Sequence, residues 1–235
     1  MRSTKQQARL AGLLYFILGL IAPIGLILVP GKLIVSGNAT ATADNLRASE
    51  WLLRLGIASE LVHQALAVFL VLALYRLFQP VDEMLAKQVV ILGALVSVPI
   101  VFVNVLNDVA ALILVSGADW LSVFEKPELD ALVYLFLRLH ARGITVASIF
   151  WGLWLFPFGL LVIRSGFIPR VLGVLLMIAG TAYLASAFAT LVLPQYAPLV
   201  GKIALPLEVG ELPIIFWLLI WGAKTRPTAA AAAAP

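Results

Sequence analysis

The chain has 235 residues, 63% of them hydrophobic and only 12% charged, with 16 lysines and arginines against 12 acids and a formal net charge of +4. A water-soluble domain needs about 25% charged residues to enclose its core, so this composition excludes one and makes lipid the solvent. With no cysteine, disulfides, thiolate metal sites, iron–sulfur clusters and cysteine nucleophiles are excluded together.

A membrane crossing takes about 20 apolar residues. Taken in chain order, six runs qualify, at about residues 10–29, 55–75, 89–115, 144–163, 171–193 and 205–221. The first is too long for the h-region of a cleaved signal peptide, which is about 7–15 residues. Arg76 and Pro80 stop the second run, and Ser116, Gly117 and Asp119 stop the third. Before the fourth, Leu129, Leu132, Leu135, Phe136 and Leu139 recur at helical spacing after Pro127. This predicts a short amphipathic helix that either lies on the membrane surface or continues into the span, with Gly143 as the hinge. Arg164 to Arg170 make a tight basic turn between the fourth and fifth runs. The expected fold is an all-α integral membrane bundle of six transmembrane helices over residues 1–227, followed by an alanine-rich tail at 228–235 that is expected to be disordered.

Six crossings put both termini on one side. Arg2, Lys5, Arg9, Arg76, Lys87, Arg164, Arg170, Lys224 and Arg226 flank that face, against Lys32, Arg47, Arg54, Lys126, Arg138, Arg142 and Lys202 on the other. The bias predicts cytoplasmic termini. These cations are spread singly along span ends and form no patch, so nucleic acid is not an expected partner; the bilayer is.

Ionisable groups within a bilayer cost about 2.5–3.5 kcal/mol each on insertion scales, so each needs a partner, water or a purpose. The second span carries Glu60, His63 and Gln64, the third Asn104, Asn107 and Asp108, and the sixth Glu208 and Glu211 beside Pro206, Gly210 and Pro213. At about 1.5 Å per helical residue, Glu60 stands about 24 Å above Arg76 and Asn104 about 25 Å above Lys87. On the same scale Asp108 stands about 31 Å above Lys87, and Glu208 and Glu211 about 24 and 20 Å from Lys224. The shared depth predicts a polar pocket in the outer half of the membrane, centred on Glu60, His63, Asn104, Asp108 and Glu211, with Asn107, Glu208 and His140 as further candidate residues. In it Glu211 carries the charge, Glu60 and His63 exchange protons or hydrogen bonds, and Asn104 orients. The expected role is binding or passing a small molecule or ion.

Two other readings stay open: a membrane-embedded metal-dependent enzyme, and a structural or interaction subunit whose polar groups only order the bundle. Glu60-x-x-His63 is half of the pattern found in carboxylate-bridged di-iron bundles. The second half is missing, and a straight helix puts His140 about 36 Å from Arg164, too high for His63. No metal site or cofactor is therefore assigned. Phosphate loops, nucleophile elbows and His-Glu-x-x-His helices are absent from the sequence, and whether the chain is an enzyme is not decided by it.

Several stretches together carry a resemblance. They are the opening Arg9-Leu10-Ala11-Gly12-Leu13-Leu14-Tyr15, then His140 followed by Phe150-Trp151-Gly152-Leu153-Trp154-Leu155-Phe156-Pro157-Phe158-Gly159. Ser165-Gly166-Phe167-Ile168-Pro169-Arg170-Val171-Leu172-Gly173 and Gly210-Glu211-Leu212-Pro213 before Trp217 complete it. So read, the chain resembles the bacterial multi-pass membrane family called domain of unknown function 4386. The resemblance implies a prokaryotic inner-membrane protein of this size and supplies no activity. His140, Trp151, Trp154, Pro169, Arg170 and Glu211 are the polar and aromatic positions that match its motifs.

Overall fold

The computed structural model describes residues 3–223. Within them the chain folds into α1 (Thr4–Leu33), α2 (Ala39–Ala48), α3 (Glu50–Phe78), α4 (Glu83–Val115), α5 (Lys126–Ser165), α6 (Arg170–Val192) and α7 (Ala197–Ile220). Six of these are long and apolar enough to cross a membrane, α2 being the exception. The alanine-rich tail lies outside the described residues.

Local chemistry starts and stops these helices. Ser3 and Gln6 form a capping box at α1, Asn38 caps α2 by accepting from the Ala41 N–H, and Asp82 caps α4 by accepting from the Leu85 N–H. Each satisfies a donor that has no partner within its helix. α5 begins with a Glu125–Glu128 box and Pro127 in its first turn, and ends at Gly166, whose φ of 71° needs the left-handed conformation that glycine adopts without steric cost. Two turns of π-helix interrupt the spans, at Ile24–Leu28 in α1 and Ile91–Val96 in α4.

α5 and α6 form an antiparallel pair whose backbones nearly touch. A Cβ on Gly152 would lie 2.8 Å from the Gly180 carbonyl, and one on Gly159 would lie 2.6 Å from that of Gly173. Small residues serve this purpose in membranes, where close van der Waals packing replaces the hydrophobic effect between helices. The Arg9 guanidinium donates to the Ile220 carbonyl at 2.8 Å, so the two ends of the described chain meet on one side of the bundle.

The interior is layered. One apolar cluster gathers Tyr15, Leu74, Phe78, Trp154, Phe158 and Leu218 at the end where α1 begins; another gathers Val29, Leu33, Leu46, Leu53, Leu112 and Leu137 at the opposite end. On α3, α4 and α5 the residues between these clusters are polar and buried: Ser59, Glu60 and Gln64, then Asn104 and Asp108, then His140. The layer sits where the helices must cross hydrocarbon, so its groups have only one another for partners.

The amphipathic segment before the fourth span is not a separate helix. It forms the first turns of α5, which runs for 40 residues without a break; at about 1.5 Å per residue that is about 60 Å, twice the hydrocarbon thickness of about 30 Å. Its apolar stripe is only partly buried, with Leu129, Leu132 and Phe136 half-buried. Leu135 and Leu139 are exposed, while Asp130, Val133, Leu137 and His140 form the buried face. Asp130 tolerates burial because Arg47 and Lys126 bind its two oxygens at 2.5 and 2.9 Å, and both cations also reach Asp44. This network clamps α2 across the end of the bundle, where Tyr134 accepts from the Gly37 N–H.

Candidate functional site

Three helices converge on His140. Its Nε2 lies 3.1 Å from Glu60 Oε1 on α3, and its Nδ1 lies 3.4 Å from Asp108 Oδ2 on α4. All three residues are buried, with 7% exposure or less. Among the described residues His140 is the one basic side chain paired with either carboxylate.

A relay of amides holds the ring. Asn107 donates through Nδ2 to the Asn104 carbonyl at 3.0 Å and to Asn104 Oδ1 at 3.1 Å. This leaves the Asn104 NH2 facing α5, where it donates to the His140 carbonyl at 2.9 Å and lies 3.4 Å from the ring Nδ1. Such an approach is possible only because residue 143 is glycine: a Cβ there would overlap the Asn104 amide. Gly143 is therefore a point of close contact in a continuous helix, and not the hinge expected from the sequence.

Glu211 sits elsewhere. α7 loosens into a turn of 3-10 helix at Val209–Glu211 between Pro206 and Pro213, as the clustered prolines and Gly210 predict. There Glu211 accepts from Tyr15 on α1 and from Tyr183 on α6. The phenols were missed in the sequence, although a lone tyrosine in an otherwise apolar span signals a hydroxyl in need of a partner.

The eight candidate residues thus fall into two groups. Glu60, Asn104, Asn107, Asp108 and His140 form one. Glu208, Glu211 and His63 line a cavity of about 350 Å³ with Tyr15, Gln64 and Trp154. A second cavity, of about 180 Å³, is lined by Glu60, Asp108 and His140 beneath an apolar rim that includes Val29, Leu53 and Leu137. Between the two lies a space of about 20 Å³ bordered by both Glu60 and His63. Gln64 Nε2 sits 3.2 Å from His63 Nδ1 and fixes that ring at the junction.

The larger cavity owes its shape to the path of α7. The half of α7 before Val209 packs on α6, and the half after Glu211 packs on α1. Gly19 and Leu26 on α1 and Leu205 and Leu212 on α7 line the gap and are exposed, so the cavity opens sideways, towards lipid. The aromatic run on α5 serves both packing and lining. Trp154 stacks on Phe158 at 5.6 Å and Trp151 donates through Nε1 to Ser97 Oγ at 2.8 Å, yet both indoles border the cavity.

Six apolar crossings around a buried polar layer define a multi-pass helical membrane protein. Residues 10–222 match the family described as "Domain of unknown function (DUF4386)", and the chain belongs to that family. A relative from Archaeoglobus fulgidus, described as an uncharacterized protein, is 40% identical over 76 residues. That match takes in 32% of this chain and 44% of the relative, so the chain spans less than half the length of the curated relative it matches. No solved structure matches.

Proposed function

We propose that the protein binds a small, largely apolar molecule bearing one cationic or hydrogen-bond-donating group, taken from within the bilayer into the larger cavity. The observation that carries this reading is the pairing of an apolar wall with a carboxylate cluster behind a side opening. The volume, about 350 Å³, falls in the range of small-molecule sites, about 300–1,000 Å³, which combine apolar lining with a few convergent polar groups. Glu211 is the handle, oriented by the two phenols, and Glu208 is the acid nearer the opening. We place the termini on the cytoplasmic side of a prokaryotic cell membrane, from the lysine and arginine bias, which puts the smaller cavity towards the outer face and the larger one nearer the middle of the membrane.

Passage of a hydrated ion has less behind it. A space of about 20 Å³ holds about one water, enough to relay a proton between Glu60 and His63 but too narrow for an ion with its shell.

Native mass spectrometry of protein released from mild detergent tests the binding. The wild type is expected to carry a small-molecule adduct distinct from lipid. That adduct is expected to disappear in Ala67→Phe, which fills the cavity, and in Glu211→Gln, which removes the charge. A wild type without the adduct, or one retained by both variants, would contradict the reading.

A further inference from the structure

We infer that Glu60, Asp108 and His140 form a binding site for one divalent first-row transition-metal cation. The argument begins with charge. Two carboxylates and one imidazole are buried together in hydrocarbon, and no lysine or arginine among the described residues is paired with them. With both acids ionised and the ring neutral the cluster carries two negative charges, and with the ring protonated it still carries one. A divalent cation bound to the neutral ring brings the total to zero, which is the condition under which buried charge is tolerated.

Geometry agrees. One ligand atom from each of the three residues can be chosen so that all lie within 4.8 Å of one another. Two donors held about 2.1 Å from one ion, at tetrahedral or octahedral angles, stand about 3.0–3.4 Å apart; His140 Nε2 and Glu60 Oε1 already stand 3.1 Å apart, and Asp108, which now approaches the other ring nitrogen at 3.4 Å, has to turn a carboxylate oxygen towards the same ion to complete the set. The residues come from three rigid helices, and the Asn104 amide fixes the backbone of α5 at His140 by donating to its carbonyl.

An independent sign comes from Glu60 itself. Its Oε2 is buried and has no hydrogen-bond partner among the described residues, while the residue as a whole is only 6% exposed. Buried carboxylate oxygens are almost always satisfied, and one left bare inside a membrane costs more than one near water. A cation bound beside Oε1 gives that oxygen a partner without any movement of backbone. α1 leaves room for it: a Cβ on Gly25 would come within 2.8 Å of Glu60 Cγ, and Gly25 lies in the π-helical turn, a feature that often marks functional sites. One nitrogen and two carboxylates suit zinc, manganese or ferrous iron better than soft or purely oxygen-loving ions. With three protein ligands and the 180 Å³ cavity beside them, the ion keeps open positions, as catalytic and not structural sites do.

The test uses full-length protein in detergent without a polyhistidine tag. It is incubated separately with zinc, manganese and, under anaerobic conditions, ferrous salts, desalted, and measured by inductively coupled plasma mass spectrometry. About one ion per chain is expected for at least one of the three metals, with loss in Glu60→Gln, Asp108→Asn and His140→Ala and retention in Glu211→Gln. Thermal unfolding guards against misfolded variants: chelator is expected to lower the midpoint of the wild type and leave that of folded Glu60→Gln unchanged. Wild type without bound metal, or metal that persists in His140→Ala, would overturn the proposal.

Discussion

His140→Leu is expected to destabilise the protein by about 3–5 kcal/mol, the usual cost of removing one partner from a buried charged group. The mutation roughly keeps the volume but takes away the ring nitrogens that lie 3.1 Å from Glu60 and 3.4 Å from Asp108. Two carboxylates would then face each other across hydrocarbon with no cation, and one must take up a proton or the helices must separate. The effect should reverse when the carboxylates go too. Glu60→Leu, Asp108→Leu and His140→Leu combined should recover most of the loss, because replacing a whole buried ionic group by apolar residues is often neutral or stabilising. Thermal or denaturant unfolding in one detergent, followed by tryptophan fluorescence, gives both numbers. If His140→Leu alone leaves stability unchanged, the three residues are not a coupled unit.

The second large effect belongs to a residue with no side chain. Gly143→Ala places a methyl group where the Asn104 amide now lies. Asn104 must turn away, losing its bond to the His140 carbonyl, or α4 and α5 must part. Overpacking costs about 1–3 kcal/mol and an orphaned buried polar group about as much again, so a loss of about 2–4 kcal/mol is expected. In an Asn104→Ala background the same methyl group meets open space, and most of the penalty should vanish. The double-mutant cycle should therefore return a coupling of about 1–3 kcal/mol. Additive losses would mean that the two residues are not in contact.

How much of this the sequence shows depends on which coordinate is asked for. Distance along the membrane normal is legible, since helical rise is constant and apolar windows give the spans. Counting up from Arg76 and Lys87 puts Glu60 and Asn104 at matching depths, and the structure joins their layer through His140. Lateral position is not legible. Glu208 and Glu211 share the depth, yet α7 packs on α1 and α6, on the other side of the bundle, so Glu211 finds Tyr15 and Tyr183 instead of Glu60.

The misplacement of His140 has a different cause. Counting upward from Arg164 assumes that all basic residues mark one plane. Arg164 instead pairs with Asp82 at 2.6 Å, beyond the end of α3 at Phe78, so its level lies below that of Arg76. Asp82 caps α4 five residues before Lys87, about 8 Å at helical rise, and taking that from about 36 Å puts His140 between Asn104 and Asp108 in height above Lys87. The apolar stripe of α5 does not by itself say which face is buried, for a reason peculiar to membranes: Leu135 and Leu139 turn outward to lipid, while Asp130 turns inward to Arg47 and Lys126. Hydrophobicity alone does not distinguish inside from outside when the solvent is itself apolar.

The central claim is that a histidine joins two acids from neighbouring helices inside the bilayer. The chain has only two histidines, so it suits solid-state NMR in lipid bilayers with nitrogen-15 histidine and carboxyl-labelled glutamate and aspartate, the second ring being removed by His63→Gln. The structure predicts dipolar coupling of His140 to one glutamate carboxyl and to one aspartate carboxyl, lost respectively in Glu60→Gln and Asp108→Asn when these side chains are left unlabelled. A His140 ring with no carboxyl in dipolar contact would contradict the account.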